Sequence, residues 1–244
     1  MKKIIAVAVL SIVIIVGFAI HTRENFDTVI FYSPHADDEV LSMGPSILHY
    51  KNKGKKVVVV LLSEGLASAA YPKLNNKLND SGLPLISKKQ FGEARQKEFK
   101  LSVETLGVSS SDIYFYNLPD GKFSKDDVSK IMQEMNSKYP NAQHHAMSYR
   151  DPHHDHATTG QALQELLEKD KIKNGIFHLP IQEYANIEYD RKQKVPNNEE
   201  DSYKDALNAY GIWKPEDGFY SIGHDSVTDY FRMAREEMES RWHK

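Results

Sequence analysis

Two short clusters hold the residues able to do chemistry. Pro34-His35-Ala36-Asp37-Asp38-Glu39 sets three consecutive acidic residues beside an imidazole, and Asp151-Pro152-His153-His154-Asp155-His156 packs three histidines into four residues. His35 and Asp38 stand three residues apart on a tight turn and can face one metal ion, while Asp37 between them stays free. The acidic run would equally suit the N-terminus of a following helix through its dipole, and a histidine cluster can be a solvated surface feature. Taken together, the clusters supply neutral imidazoles and carboxylates, a donor set suited to zinc. Two protein nitrogens and one oxygen, with positions left open for water, describe a catalytic rather than a structural metal site. The chain has no cysteine, which excludes thiolate ligation and a disulfide framework.

These clusters need a scaffold that brings them together, and the pattern of apolar runs predicts one. Thr28–Ser33 is a short β-rich run ending at Pro34, Glu39–Tyr50 reads as a helix stopped by Gly54, and Lys56–Ser63 is a continuous Val/Leu run. Such a run marks a strand buried on both faces of a parallel sheet. Further strands are expected over Ile113–Tyr116, Ala146–Tyr149 and Ile176–Leu179, with helices over Lys89–Leu106, Asp126–Met135 and Ala157–Leu167. The polar stretch Glu64–Lys88 reads as a long functional loop or lid. Beyond Gln182 the pattern degrades into a tyrosine- and charge-rich tail with a closing helix near Val227–Arg241. Strand–helix alternation implies an α/β fold, Rossmann-like, with a mostly parallel sheet and helices on both faces. Ligands collect beyond the carboxyl ends of strands in such sheets. The two clusters follow the first and fourth strands, so both belong to that edge.

With 244 residues, the chain has length for one sizeable domain, read as residues 26–244. Its composition is ordinary, 27% charged with a formal net charge of -3, and no basic excess suggests a nucleic-acid partner. Residues 1–25 differ sharply: Lys2 and Lys3 precede an apolar run from Ile4 to Ile20, followed by His21-Thr22-Arg23-Glu24-Asn25. This is a signal peptide or a membrane anchor, and an uncleaved N-terminal hydrophobic helix is the reading favoured. The flanking charges would place the rest of the chain outside the cytoplasm; a cleaved segment would leave it secreted.

The PHADDEVL segment followed by a distant HHDH resembles the LmbE/PIG-L family of zinc-dependent N-acetyl deacetylases. The likeness extends to Ser63-Glu64-Gly65, to Arg95-Gln96-Lys97-Glu98 with Leu106-Gly107, and to Lys204-Asp205-Ala206-Leu207 with Tyr210, about residues 27 to 210 in all. The resemblance implies His35, Asp38 and His156 as zinc ligands and Asp37 as the general base. It implies His153 as the group that stabilises the oxyanion or protonates the leaving amine, oriented by Asp155. Two departures stand out: Ala36 replaces the family's usual proline, and Gly211-Ile212-Trp213 follows Tyr210 where the family has a different ending. The first would loosen the turn and remove no ligand; the second bears on the shape of the substrate pocket.

Arg95 is a candidate for anchoring Asp37 or substrate, against the alternative of an exposed helical arginine paired with Glu98. Tyr184, with Tyr189 and Tyr203, is a candidate for stacking on a sugar, although tyrosines in such a tail also simply pack. His154 should point away from the metal. His144, His145, His178 and His224 read as ordinary polar residues, with His178 the best outsider because it ends a strand. The activity expected is removal of an acetyl group from an N-acetylated amino sugar or its conjugate. Three alternatives remain: an amidase of another N-acyl conjugate, an Fe(II) oxygenase built on the same two histidines and carboxylate, and a non-catalytic, membrane-tethered glycan-binding protein. Strand–helix alternation argues against the oxygenase, whose sites usually sit on antiparallel β-barrels, and the free carboxylate of Asp37 argues against a binder, which has no use for it.

Overall fold

The computed structural model describes residues 26–244; the expected N-terminal hydrophobic helix over residues 1–25 lies outside them. Among the described residues, no helix is long and apolar enough to cross a membrane. The chain alternates between strands and helices through β1 (Thr28–Ser33), α1 (Asp38–Leu41), α2 (Gly44–Asn52), β2 (Lys56–Leu61), α3 (Ala70–Asp80), α4 (Lys88–Thr105) and β3 (Ile113–Phe115). It continues through α5 (Lys125–Lys138), β4 (Gln143–Met147), α6 (His154–Glu168), β5 (Asn174–His178), β6 (Arg191–Lys194) and α7 (Glu200–Ala209). A small hairpin of β7 (Trp213–Lys214) and β8 (Phe219–Tyr220) precedes α8 (Ile222–Ser226), α9 (Thr228–Glu237) and β9 (Glu239–His243).

The main sheet has the order β3-β2-β1-β4-β5-β9-β6. β1 to β5 run parallel, and β9 pairs antiparallel with both β5 and β6. Strand periodicity sorts the core into two layers. Val29, Phe31, Val57, Val59 and Leu61 pack with Ile47 of α2, Phe99 and Val103 of α4, and Tyr203, Leu207 and Tyr210 at α7. Ile30, Tyr32, Val58 and Val60 face the other way, onto Val128, Ile131 and Met135 of α5 and Leu163 and Leu166 of α6. β1 over residues 29–32 and β2 over residues 57–61 are thus buried on both faces, which explains why β2 reads as a Val/Leu run.

Several expectations are corrected. The helix expected over Glu39–Tyr50 is two helices, broken around Ser42 and Met43. The expected loop over Glu64–Lys88 contains α3, whose Leu74 and Leu78 pack with Phe91 of α4. The expected closing helix over Val227–Arg241 stops at Glu237, because Met238 turns into the left-handed region at φ 48° and starts β9. The sheet therefore gains two strands, β6 and β9, from the tail. They escape a reading by apolar runs because Arg191–Lys194 is almost wholly polar and exposed.

Chain reversal between β1 and β4 sets the position of the site. From β1 the connections run outward to β2 and β3 on one side and to β4 and β5 on the other, so β1 and β4 border the switch point. Loops leaving their carboxyl ends diverge around a crevice there. Gly160 draws α6 tightly onto β4, since a Cβ on it would lie 2.4 Å from the Tyr149 nitrogen and 2.5 Å from the Met147 carbonyl oxygen. That contact fixes how far His153 and His156 stand from the end of β4.

Candidate metal centre and active site

A cavity of about 460 Å³ opens at the switch point, lined by His35, Asp37, Asp38, Arg95, Asp120, His153 and His156. His35, Asp37 and Asp38 come from the turn after β1, His153 and His156 from the start of α6, Asp120 from the loop after β3, and Arg95 from α4. Ser226, Val227 and Tyr230 of the C-terminal segment close one wall.

Each histidine has its two nitrogens assigned by neighbours. His156 Nδ1 lies 2.8 Å from Asp151 Oδ2, leaving Nε2 3.1 Å from Asp38 Oδ2. His35 Nε2 lies 3.1 Å from Asp155 Oδ2 and 3.3 Å from Asp120 Oδ1, leaving Nδ1 3.4 Å from the same Asp38 oxygen. A carboxylate that accepts one ring N–H and turns the other nitrogen toward a shared point is how metal-ligating histidines are held. His35 Nδ1, Asp38 Oδ2 and His156 Nε2 therefore form a convergent donor set of two imidazoles and one carboxylate, which fits a divalent cation such as zinc.

Among the described residues, the groupings whose donor atoms all lie within 4.8 Å of one another are His35 with His153 and His156, and His35 with Asp120 and Asp155, while His35 and His156 each approach Asp38 Oδ2 separately. In the second, the His35 nitrogen facing the carboxylates is the one they hold in place. In the first, His153 is the exposed member, its ring 4.5 Å from that of His156 and 5.1 Å from that of His35. It stands on the open side of the donor set, where substrate would arrive.

Electrostatics agree with a site built for positive charge. Burial works against protonating His35, yet its contacts with Asp120, Asp155 and Asp38 raise its pKa well above the ordinary histidine value. His156 is likewise pushed to about 9 against its burial, by Asp38 and Asp151. Burial would raise Asp38, but the two histidines hold it well below the carboxylate range. Asp37 behaves differently: burial and the charge of Asp38 lift it to about 7, only partly offset by Arg95, His35 and His156. Burial and the charges of His156 and His35 lower His153.

Asp37 has a backbone φ of 117°, outside the range that L side chains favour. Such a conformation costs on the order of 1–3 kcal/mol and persists only where surrounding contacts impose it. It occupies the N-cap of α1, yet its side chain makes no capping hydrogen bond. The carboxylate is instead directed toward the cavity, with Oδ2 3.9 Å from Arg95 Nη2.

Arg95 is not the exposed, Glu98-paired residue of the alternative reading. It is 5% exposed, donates from Nη2 to the Ala36 carbonyl at 2.8 Å, and keeps an unpartnered Nε. Gly65 at φ 70° makes room for it, since a Cβ there would meet Arg95 Nη1 at 2.6 Å. Glu98 accepts instead from the Ile222 and Gly223 backbone nitrogens.

Asp155 does not hold His153. It takes Gly121 N–H at 2.7 Å, Phe123 N–H at 3.2 Å and the His35 and His154 rings, so it orients His35. His154 points outward, its side chain 61% exposed. Tyr184 is corrected too: it is buried outside this cavity, its hydroxyl donating to the Glu239 carbonyl at 2.8 Å. Tyr203 is a core residue under α1, bonded to the Val40 carbonyl, and Tyr189 lies on a separate surface depression. His144, His145 and His178 are buried in the sheet away from the site, His145 Nδ1 and His178 Nε2 being 2.8 Å apart. Sequence reasoning gave Asp120, Asp151 and Glu39 no role. Asp151 lies within the second cluster itself, and Asp120 follows a parallel strand at the same sheet edge, which is the one signal it carries.

A family model described as PIG-L, GlcNAc-PI de-N-acetylase, matches residues 30–167. The chain belongs to the PIG-L family, and this membership makes it a hydrolase of the deacetylase class. Among curated proteins, no match is found. Solved structures with the same fold include the A40926 pseudoaglycone deacetylase Dbv21, 16% identical with a TM-score of 0.65, covering 88% of this chain and 90% of that one. The N,N'-diacetylchitobiose deacetylase of Pyrococcus horikoshii is 17% identical with a TM-score of 0.64, covering 89% of this chain and 83% of its own. GalB, the 4-carboxy-2-hydroxymuconate hydratase of Pseudomonas putida KT2440, is 18% identical with a TM-score of 0.60, covering 89% of this chain and 94% of its own. At these identities the likeness is one of fold.

Proposed function

We propose that this protein is a zinc-dependent hydrolase that removes the acetyl group from an N-acetylated amino sugar or its conjugate. The observation that carries the reading is the juxtaposition, in one cavity, of a convergent His35–Asp38–His156 donor set and an uncapped carboxylate, Asp37. The chitobiose and pseudoaglycone deacetylases among the structural neighbours support the substrate class.

His35, Asp38 and His156 would hold the ion. When bound, a divalent cation supplies Lewis acidity, polarising a carbonyl oxygen and making water more acidic. Asp37 takes the proton from the attacking water, since its carboxylate lines the cavity beside the donor set and is not engaged by a capping bond. His153, at the cavity mouth, hands a proton to the leaving nitrogen and faces the oxygen on which charge develops. Asp151 and Asp155 fix the imidazole orientations of His156 and His35. Arg95 fixes the turn through the Ala36 carbonyl and lines the cavity beside Asp37.

The N-terminal apolar run supports attachment to a membrane with residues 26–244 on its outer side, where an envelope or exported glycan would be the substrate. Acetate release from a panel of free, lipid-linked and polymeric N-acetyl sugars tests the activity. Zinc-dependent release from one or more of them is expected; release from none would contradict it.

A further inference from the structure

We propose that Glu39 and Tyr210 form a strap behind the active site that keeps the Asp37 carboxylate free and aimed at substrate. This rests on the role of Asp37 as general base, and it assigns a purpose to two buried residues that the metal site does not use.

An aspartate at a helix N-cap ordinarily folds its carboxylate back onto the free N–H groups of the first turn. Asp37 holds the N-cap of α1 and makes no such bond. Its own N–H is taken by Glu39 Oε2 at 3.0 Å, and its carbonyl accepts from the Val40 and Leu41 nitrogens at 3.2 and 3.0 Å. Arg95 pins the preceding carbonyl, that of Ala36, at 2.8 Å. The main chain of Asp37 is thereby fixed on both sides at φ 117°, a conformation in which its side chain makes no bond to the helix end.

Glu39 can do this only if it is itself held. It is 0% exposed, and its second oxygen accepts from the Tyr210 hydroxyl at 2.7 Å. Both of its oxygens are therefore committed, one to Tyr210 and one to Asp37 N–H. Tyr210 closes α7 and is also 0% exposed. Gly223 admits its ring, since a Cβ there would lie 2.4 Å from Tyr210 Cδ1, and the Phe231 ring packs at 5.6 Å. The Tyr210 carbonyl accepts from His224 N–H. Tyr210 is thus seated by the segment whose Ser226, Val227 and Tyr230 line the cavity wall, so wall and base share one support. An apolar residue at 39 would fill the space and leave the Asp37 N–H buried without an acceptor, at a cost that returning to an ordinary φ would relieve.

The test compares Tyr210→Phe, Glu39→Ala and Glu39→Gln in the full-length, zinc-loaded protein, reading kcat, KM, bound zinc and a crystal structure of each variant. Tyr210→Phe and Glu39→Ala should lower kcat about tenfold or more, as small misplacements of a catalytic group do. KM should stay within about twofold and zinc should stay stoichiometric, since the strap does not touch the ligands. Glu39→Gln, which can still accept from Asp37 and pair with Tyr210, should recover most of that loss. In the Tyr210→Phe crystal structure, Asp37 should leave φ near 117° or its carboxylate should turn to cap α1. Wild-type kcat in Tyr210→Phe, loss of zinc in place of kcat, or an unmoved Asp37 would each overturn the strap. Absence of acetate release from the wild type would count against the deacetylase reading alone, and the crystal structures would still decide the strap.

Discussion

Asp151 Oδ2 sits 2.8 Å from Nδ1 of His156 and thereby turns Nε2 of that ring toward Asp38. Both residues lie within one six-residue run, so a single loop supplies a ligand and the group that fixes its tautomer. Asp151→Ala should weaken zinc binding roughly 10- to 100-fold, the usual cost of losing such a partner. Chelator-competition titration measures it, and unchanged affinity would mean that His156 is oriented some other way.

Tyr184, a substrate candidate by sequence, is placed by the fold in a structural role. Tyr184→Phe removes its bond to the Glu239 carbonyl and should cost about 1 kcal/mol of stability. KM for any accepted substrate should not move. A raised KM with unchanged stability would put Tyr184 back at the sugar.

The buried histidines of the sheet make stability depend on pH. His144 is lowered to about 4 and His178 to about 3, both chiefly by burial. Their folded values lie below the unfolded value of about 6.5, so between about pH 4 and 6.5 the unfolded chain binds the extra protons. Stability should therefore fall as pH drops through that window, by up to about 1.4 kcal/mol per pH unit for each histidine. Urea unfolding at half-unit pH steps reads this slope, and His144→Asn should reduce it. A slope unaltered by that substitution would show that other groups set it.

Gly160 makes the backbone of α6 press on the end of β4. Gly160→Ala must move the helix that carries His156, at a cost of about 2 kcal/mol or more. Thermal unfolding with and without zinc checks this: a lower Tm with a smaller zinc-induced gain is expected, and a Tm equal to wild type would contradict the close contact.

The parts of this site visible in the sequence are those carried by short runs. His35, Asp37 and Asp38 follow the apolar strand β1 and His156 opens the helix after the parallel strand β4, and the carboxyl-end rule for parallel sheets places them together. Asp120 and Tyr210 reach the site region through tertiary packing, 85 and 175 positions after His35; Asp120 is marked only by following a parallel strand, and Tyr210 only by the stretch it shares with residues 204–207, neither of which states its role. Asp155, which the resemblance assigns to His153, is instead claimed by His35, presented by the fold from 120 residues away. β6 shows no hydrophobic period because it is polar and exposed at the sheet edge, and β9, although largely buried between β5 and β6, carries Trp242 as its one apolar residue. α3 was missed inside a stretch rich in Asn, Gly and Pro, although Leu74 and Leu78 do repeat at helical spacing.

The most direct measurement is acetate release from N-acetylated amino sugars by the purified protein, made with zinc, after chelation, after zinc is restored, and with Asp37→Asn. Zinc-dependent release is predicted, abolished by the chelator and recovered on restoring the metal. Asp37→Asn should keep stoichiometric zinc and lose about 10²- to 10⁴-fold in kcat, the usual contribution of a general base. Release that survives chelation, or an Asp37→Asn variant as fast as wild type, would contradict the metal-and-base mechanism built on His35, Asp38, His156 and Asp37.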